Sequence, residues 1–435
     1  MTALPKVLFE TAAFAPALQA IADRTPVVLV VGRAGTGKTT LVRDILLRNT
    51  TLNQAVVAPT GVAALQARGQ TIHSFFQIPP QMGNLSDIQP IRNRQKREVI
   101  KKLDRLIVDE VSMVRADLLD KIDQALKVNR NSTEAFGGVQ MVLVGDFYQL
   151  PPVVPRSEAE ILKANGYAQP FAPFAKSLDR AVMRTIELTR IFRQSDPEFI
   201  ELLGHLRAGT DLARTLQRLN EACFRPHRPE HVPVLLTGRN AQADAHNTNM
   251  LAALPGQVSA FEGETEGEFN LEGDNLPAPQ RLELKSGARV MLLRNDTRGR
   301  WVNGTLGTVA GIEGGVLYVR MDDSGETHEV APVKWERFRY EWNKINEHIE
   351  AVEVGSYTQL PVRLAWASTI HKAQGLTLND VRVDLAGGAF AGGQAYVALS
   401  RATSLAGLSF ARPLTASDVI LDKAVTTMLE RMQAG

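Results

Sequence analysis

The eight residues Gly32-Arg33-Ala34-Gly35-Thr36-Gly37-Lys38-Thr39 constrain this chain more than any other stretch. They satisfy the pattern G-x-x-x-x-G-K-[ST] in full, between the apolar run Val27–Val31 and an amphipathic helical pattern over Thr39–Arg48. Glycines in such a loop let successive backbone N–H groups wrap a phosphate at a helix N-terminus, where the dipole favours negative charge. The lysine then reaches the outer phosphates and the following hydroxyl ligates Mg²⁺. Strand, loop and helix in this order predict the opening unit of a P-loop α/β domain that holds a nucleoside triphosphate.

Further short aliphatic runs follow at Ala55–Ala58, Leu106–Asp109, Met141–Gly145 and Thr185–Leu188, with helical patterns such as Arg115–Val128 between them. Runs of this kind, bounded by Gly, Pro or polar residues, are what central strands of a parallel sheet require. The first part of the chain therefore reads as one doubly wound domain. Val234–Thr237, Ala365–Thr369 and Val381–Leu385 predict strands of a second α/β domain. Between them, the glycine-rich stretch Ala288–Met321 suits a small antiparallel barrel or hairpin module. Glu262–Asp274 holds six acidic residues and no basic ones, which predicts a solvated loop.

Composition narrows the class. Lys+Arg 49 against Asp+Glu 47 leaves no global basic field to announce a nucleic-acid partner, so any such partner must be read from local motifs. A single cysteine, Cys223, excludes an internal disulfide and a multi-cysteine zinc site and suits a reducing cytoplasm. No apolar run approaches the ~18 residues of a spanning helix. Glu10, Pro16 and Asp23 interrupt the N-terminal apolar residues, unlike a signal peptide.

A P-loop site needs a carboxylate for its metal and a group that polarises water. Leu106-Ile107-Val108-Asp109-Glu110 supplies both at a strand end: Asp109 for Mg²⁺ and Glu110 as general base. Met141–Gly145 runs into Asp146-Phe147-Tyr148-Gln149-Leu150-Pro151-Pro152, and loops at such strand ends line the ligand crevice. Gln149 then senses the γ-phosphate and Phe147 touches a ligand, or both serve loop packing.

The order of these segments resembles the Pif-type helicases and the related RecD-like and phage Dda-like enzymes of superfamily 1B. The resemblance is carried by GRAGTGKT (32–39), APTGVAALQ (58–66), TIHSFF (71–76), IVDEVSM (107–113) and LVGDFYQLPPV (143–153). It continues through ELTRIFRQ (187–194), WASTIHKAQGLTL (366–378) and YVALSRATSLAGL (396–408). Glu110–Arg130 is similar to the segment that sets the Pif-type group apart.

The resemblance implies two RecA-like P-loop α/β domains, 1–186 and 187–295 with 361–435. It also implies a small pin insertion at about 77–102 in the first and an SH3-like β insertion at 296–360 in the second. Implied ATP contacts are Gly35, Thr36, Gly37, Lys38, Thr39, Thr40, Gln374 and Gly375, with Mg²⁺ between Thr39 and Asp109. The implied catalytic set is Lys38, Glu110, Gln149, Arg193 and Arg401. The two arginines come from the second domain, where a cation supplied across a cleft acts only when the cleft is closed.

Implied contacts to single-stranded DNA are Pro59, Thr60, Thr71, His73 and Phe147 in the first domain and Thr369, His371 and Lys372 in the second. Thr and Lys can hold phosphates, while His and Phe can stack on bases. The basic run Arg92–Arg97 with Lys101 and Lys102 is either a solvated helix face or a phosphate-attracting part of the pin. Phe338, Tyr340 and Trp342 alternate with Arg337 and Arg339, as a barrel core or a DNA-facing strand would. The resemblance further implies a monomeric 5′-to-3′ DNA helicase acting on single strands and single-strand/duplex junctions, without a membrane. A translocase with little unwinding and a nucleotide-dependent switch or loader are the alternatives. One departure stands out: family members carry a glutamine before the P-loop that recognises adenine, and here Phe14 holds that place, with Gln19 shifted.

Overall fold

The computed structural model of the chain describes residues 12–80, 83–225, 232–386 and 391–434. Helix α1 (Ala15–Ala22) leads into strand β1 (Val27–Gly32), every residue of which is buried. Strands β2 (Gln54–Ala58), β3 (Gln70–Thr71), β4 (Arg105–Val108), β5 (Gln140–Gly145) and β6 (Met183–Leu188) complete a parallel sheet of spatial order β3-β2-β4-β5-β1-β6. Crossovers run through α2 (Lys38–Arg48), α3 (Gly61–Gln66), α4 (Ile72–Phe76), α5 (Arg94–Lys102), α6 (Ala116–Arg130) and α7 (Arg156–Ala164).

The period-2 alternation of a strand explains the unbroken apolar runs. Val27, Leu29 and Val31 join one core cluster, whereas Val28 and Val30 join another. Leu106 and Val108 divide from Ile107 in the same way, as do Met141 and Leu143 from Val142 and Val144. A sheet buried on both faces needs hydrophobic residues at both parities.

The second domain begins with α8 (Pro197–Ala208) and α9 (Leu212–Cys223), then β7 (Val234–Thr237) and α10 (Asn240–Ala253). Ten strands follow: β8 (Ser259–Glu262), β9 (Glu264–Gly267), β10 (Arg281–Leu284), β11 (Arg289–Leu292), β12 (Leu306–Glu313), β13 (Val316–Met321), β14 (Thr327–Val330), β15 (Val333–Asn343), β16 (His348–Gln359) and β17 (Val362–Leu364). The chain then returns to the α/β layer with β18 (Ala367–Thr369), β19 (Val381–Asp384), α11 (Gln394–Leu399), β20 (Leu408–Phe410) and α12 (Lys423–Ala434). This sheet is parallel, in the order β18-β7-β19-β20.

The insertion is wider than the expected 296–360. Strands β8 to β11 pair antiparallel with one another or with later insertion strands, so Ser259–Leu292 belongs to the insertion rather than to the α/β layer. The acidic segment is not a loop either. Glu264–Gly267 forms β9 against β16, with Glu262 paired to Arg281 at 3.2 Å and Glu268 to Arg339 at 3.1 Å. All four β9 residues are exposed, so no apolar alternation marks the strand in sequence.

The β15–β16 hairpin leaves the barrel and packs on the first domain. Tyr340 is buried in that domain's core, edge-on to Phe75 at 5.8 Å between centroids, and Trp342 packs beside it. The aromatic alternation thus serves neither a barrel core nor an open strand face. A register shift between Arg337 and Phe338 separates this outer half from Trp335, whose ring lies 6.0 Å from Tyr357 within the insertion.

In the pin region, Val99 and Ile100 bury α5 while Arg92, Arg94, Lys101 and Lys102 stay exposed. Lys102 also lies over the Trp342 ring at 5.4 Å. At the far end of the chain, Val425, Met428 and Leu429 of α12 join the first domain's core, so the C-terminal helix bridges back across the cleft. Among the described residues no helix is long and apolar enough to cross a membrane.

Candidate nucleotide and nucleic-acid site

β1 ends at Gly32 and α2 starts at Lys38, with Gly35 (φ 81°) and Gly37 (φ 82°) in the left-handed region between them. Close approach as well as backbone conformation demands glycine here. A Cβ on Gly35 would lie 2.5 Å from Cβ of Arg193, and one on Gly37 would lie 3.0 Å from the Phe14 ring. Lys38 Nζ donates to the carbonyls of Gly32 (2.9 Å) and Arg33 (3.0 Å). Burial lowers its pKa, opposed by the attraction of Asp146, Glu110 and Asp109. Thr36 is buried and donates to the Arg33 carbonyl at 2.9 Å, while Thr39 and Thr40 occupy the first turn of α2.

Asp109 and Glu110 follow the last residue of β4. Asp109 Oδ1 accepts the backbone N–H of Glu110 at 2.9 Å, and Glu110 itself is left-handed at φ 52°. A non-glycine residue held there costs roughly 1–3 kcal/mol, a strain that concentrates at functional sites. Burial raises the pKa of both carboxyls, Glu110 to about 7 with a further push from Asp109 and opposition from Lys38. Among the described residues no three His, Cys, Asp or Glu side chains gather to hold a metal. The Thr39 hydroxyl and Asp109 carboxylate fit Mg²⁺, which takes few protein ligands and completes its shell with phosphate oxygens and water.

The second domain closes on this loop. The Phe192 N–H donates to the Gly35 carbonyl at 2.8 Å, which seats Arg193 beside the cradle. Its guanidinium donates to Thr377 Oγ1 (3.0 Å) and to the carbonyls of Ser400 and Gly375 (3.2 Å each). Arg401 is fully buried, donating to the Val397 carbonyl at 2.9 Å and to Ser400 Oγ at 2.8 Å. Burial, then the neighbouring Arg193 cation, pushes its pKa down. Gln149 bridges the two halves: its amide donates to Asp146 Oδ2 at 2.9 Å and its Oε1 accepts from Gln374 at 3.2 Å. Lys38, Asp109, Glu110, Gln149, Arg193 and Arg401 are therefore brought to one cleft.

Pro59 and Thr60 follow β2, Thr71 ends β3, and Thr369 ends β18, with His371 and Lys372 just beyond. These are C-terminal ends of parallel strands, the edge where ligand crevices form. Thr60 caps α3 by accepting from Ala63 at 3.2 Å, and Thr71 caps α4 by accepting from Ser74 at 3.3 Å. Each hydroxyl keeps its own hydrogen to donate to a phosphate. His73 Nδ1 is engaged with the Ile78 carbonyl at 3.0 Å, which leaves Nε2.

Two of the residues expected to contact DNA are buried. Phe147 is 3% exposed, packed in the first domain's core and bordering the cavity beside Tyr148. Thr369 is 2% exposed and its hydroxyl accepts from the Lys372 N–H at 3.2 Å, which shapes the loop that carries His371 and Lys372. Residues not singled out in sequence also join the cleft. The Tyr396 hydroxyl accepts the Ala34 N–H at 3.2 Å across the domain boundary, and Thr377 and Ser400 hold Arg193. Tyr396 lies within YVALSRA, one place in a recognised motif from which it could have been found.

The sequence profile of PIF1-like helicase matches residues 11–214, and that of the DNA helicase Pif1 2B domain matches residues 271–312. A solved structure of unliganded Pif1 from Bacteroides sp is 35% identical, with a TM-score of 0.88, and the match covers 98% of this chain and 97% of that one. The chain belongs to the Pif1-type helicase family. Among curated Pif1 proteins, mouse ATP-dependent DNA helicase PIF1 is 36% identical over 390 residues, 88% of this chain. The chain spans 57% of that relative's length. Bacteroides Pif1 bound to single-stranded DNA superposes less well, with a TM-score of 0.66 at 34% identity. Against the same relative in complex with ADP-AlF4, the TM-score of this Pif1-type chain is again 0.88.

Proposed function

We propose that the chain is an ATP-dependent DNA helicase that moves 5′-to-3′ on single-stranded DNA and opens duplex ahead of it. The observation that carries the reading is the meeting of Lys38, Glu110 and Gln149 with Arg193 and Arg401 of the other domain around one phosphate cradle. Lys38 trades its two carbonyl partners for phosphate oxygens. Glu110 takes the proton of the attacking water, and its raised pKa suits a base working near neutrality. Gln149 orients that water or reads the γ-phosphate. Arg193 and Arg401 sit where developing phosphoryl charge would be neutralised. Thr39 and Asp109 would hold Mg²⁺, which would supply positive charge to the phosphates.

Hydrolysis then changes how the two domains meet, and the strand-end surfaces carrying Pro59, Thr60, Thr71, His73, His371 and Lys372 shift against each other along a strand. The Bacteroides relative is solved with single-stranded DNA, which supports that substrate. One chain supplies both sides of the cleft, which supports action as a monomer, and its lone buried thiol, Cys223, suits the cytoplasm. The test is strand displacement with Mg²⁺ and ATP on matched duplexes bearing a 5′ or a 3′ single-stranded tail, with Lys38→Ala as control. Displacement from the 5′ tail alone supports the reading and its polarity. Displacement from the 3′ tail alone overturns the polarity. Hydrolysis without displacement points to a translocase or a switch.

A further inference from the structure

Arg207 belongs to α8 in the second domain, yet its guanidinium lies against the first. It sits 4.1 Å over the Tyr148 ring, with Nη2 3.6 Å from Asp146 Oδ1 and Nη1 3.9 Å from Glu187 Oε1. The residue is 8% exposed, and its Nε has no hydrogen-bond partner. Asp146 is 1% exposed, so its charge is costly to hold without cations, and Arg207 joins Lys38 in facing it. One oxygen of Asp146 faces Arg207 and accepts the Tyr148 N–H at 3.3 Å, and the other accepts the Gln149 amide at 2.9 Å. Gln149 in turn accepts from Gln374 at 3.2 Å. The chain of contacts Arg207–Asp146–Gln149–Gln374 thus leaves the second domain, passes through the first, and returns.

The two ion contacts of Arg207 are longer than hydrogen bonds, and beside it lies a cavity of about 200 Å³ lined by Tyr148, Tyr396 and Val425, among others. The guanidinium has both unused hydrogen-bonding capacity and room to shift. A small further approach of the domains would convert the 3.6 Å contact into a charge-assisted hydrogen bond.

We propose that Arg207 is a positioning residue for nucleotide hydrolysis, which holds Asp146 so that the Gln149 amide is aimed at the γ-phosphate only when the second domain is seated. This rests on the ATPase reading above. Arg207 touches neither the P-loop nor the expected nucleotide contacts. Its effect passes through Asp146, which distinguishes it from Arg193 and Arg401.

The experiment is DNA-stimulated ATP hydrolysis by the full chain, with binding of a fluorescent ADP analogue measured alongside, for wild type, Arg207→Met, Arg207→Lys and Asp146→Asn. A lost hydrogen bond to a charged group predicts a fall in kcat of roughly 10-fold or more for Arg207→Met. KM and analogue affinity should stay within about 3-fold, the signature of an interaction made in the transition state. Arg207→Lys, which keeps the charge, should recover most of the loss. If the methionine variant does not fold, Asp146→Asn reads the same link from its other end, with kcat reduced and KM unmoved. Unchanged kcat in Arg207→Met or in Asp146→Asn overturns the proposal. So does a parallel loss of kcat, KM and analogue binding in Arg207→Met that lysine does not restore, because that is the mark of packing alone. A wild type that binds the analogue but hydrolyses nothing overturns the ATPase reading and this proposal with it.

Discussion

The hydroxyl of Tyr340 accepts a hydrogen bond from the backbone N–H of Val56 at 2.9 Å, joining residues 284 positions apart. Val56 lies in β2, whose neighbour β3 is only two residues long and pairs with Val57 and Ala58. Where β3 is too short to continue the ladder, the insertion's hairpin supplies the acceptor. Tyr340→Phe leaves a buried N–H unpaired and should cost about 1–3 kcal/mol. Thermal unfolding and amide exchange at Val56 check this. Unchanged protection of that amide would show that the hydroxyl is dispensable.

Glu110→Gln removes the proposed base while keeping the side chain's size. Hydrolysis should fall by ~10²–10⁴ with nucleotide affinity nearly unchanged. Single-turnover hydrolysis and a nucleotide titration separate the two. A fall of less than about 10-fold would move the base role elsewhere.

The same residue makes a pH prediction. Burial, with Asp109 adding to it, raises the Glu110 carboxyl to about 7, so the folded state holds its proton more tightly than the unfolded state. Stability from this group is present at low pH and is lost as pH rises through about 7. Nucleotide-free Glu110→Gln should therefore melt higher than wild type at pH 8, and the gap should close toward pH 5. Melting curves at both pH values are the check.

Arg193 and Arg401 offer the cleft planar, fixed cations. Arg193→Ala and Arg401→Ala should each lower kcat by ~10³ and abolish duplex separation. Binding of single-stranded DNA without nucleotide should persist, because neither residue lies on the strand-end surface. Fluorescence anisotropy with a labelled oligonucleotide tests that separation. Lysine should rescue poorly at Arg193, whose guanidinium engages Thr377, Gly375 and Ser400 at once.

Phe14 packs its ring against Gly37 and has no group that reads a base edge. If the base lies beside it, ATP and GTP should differ in kcat/KM by no more than about 10-fold, since an apolar pocket discriminates weakly. Phe14→Gln should widen that ratio. A strong ATP preference in wild type would place the reading of the base on other groups.

Much of the fold was legible because its information is local. Val27–Val31 and Met141–Gly145 are apolar at every position, which a strand needs only when both faces are covered, and that alone predicts a helix-flanked parallel sheet. β9 carries no apolar signal because its four residues are all exposed, so nothing local marks where the insertion's strands begin. The alternating aromatics of β15 were seen, but their destination was not. Nothing in Phe338–Trp342 says that Tyr340 will be buried in another domain's core.

The site divides along the same line. By itself, the sequence pointed to the phosphate cradle and the carboxylate pair, because each chemistry needs fixed residue types at fixed spacing within one loop, whereas the two arginines came only from the resemblance to Pif-type helicases. Only the tertiary structure decided that Phe147 and Thr369 are buried, that Gln149 meets Gln374, and that Arg207 faces Asp146. The last two outcomes depend on how two sheets dock, the first two on packing within each domain. Docking is set by the summed shape and charge of surfaces drawn from distant segments, so no local pattern encodes it.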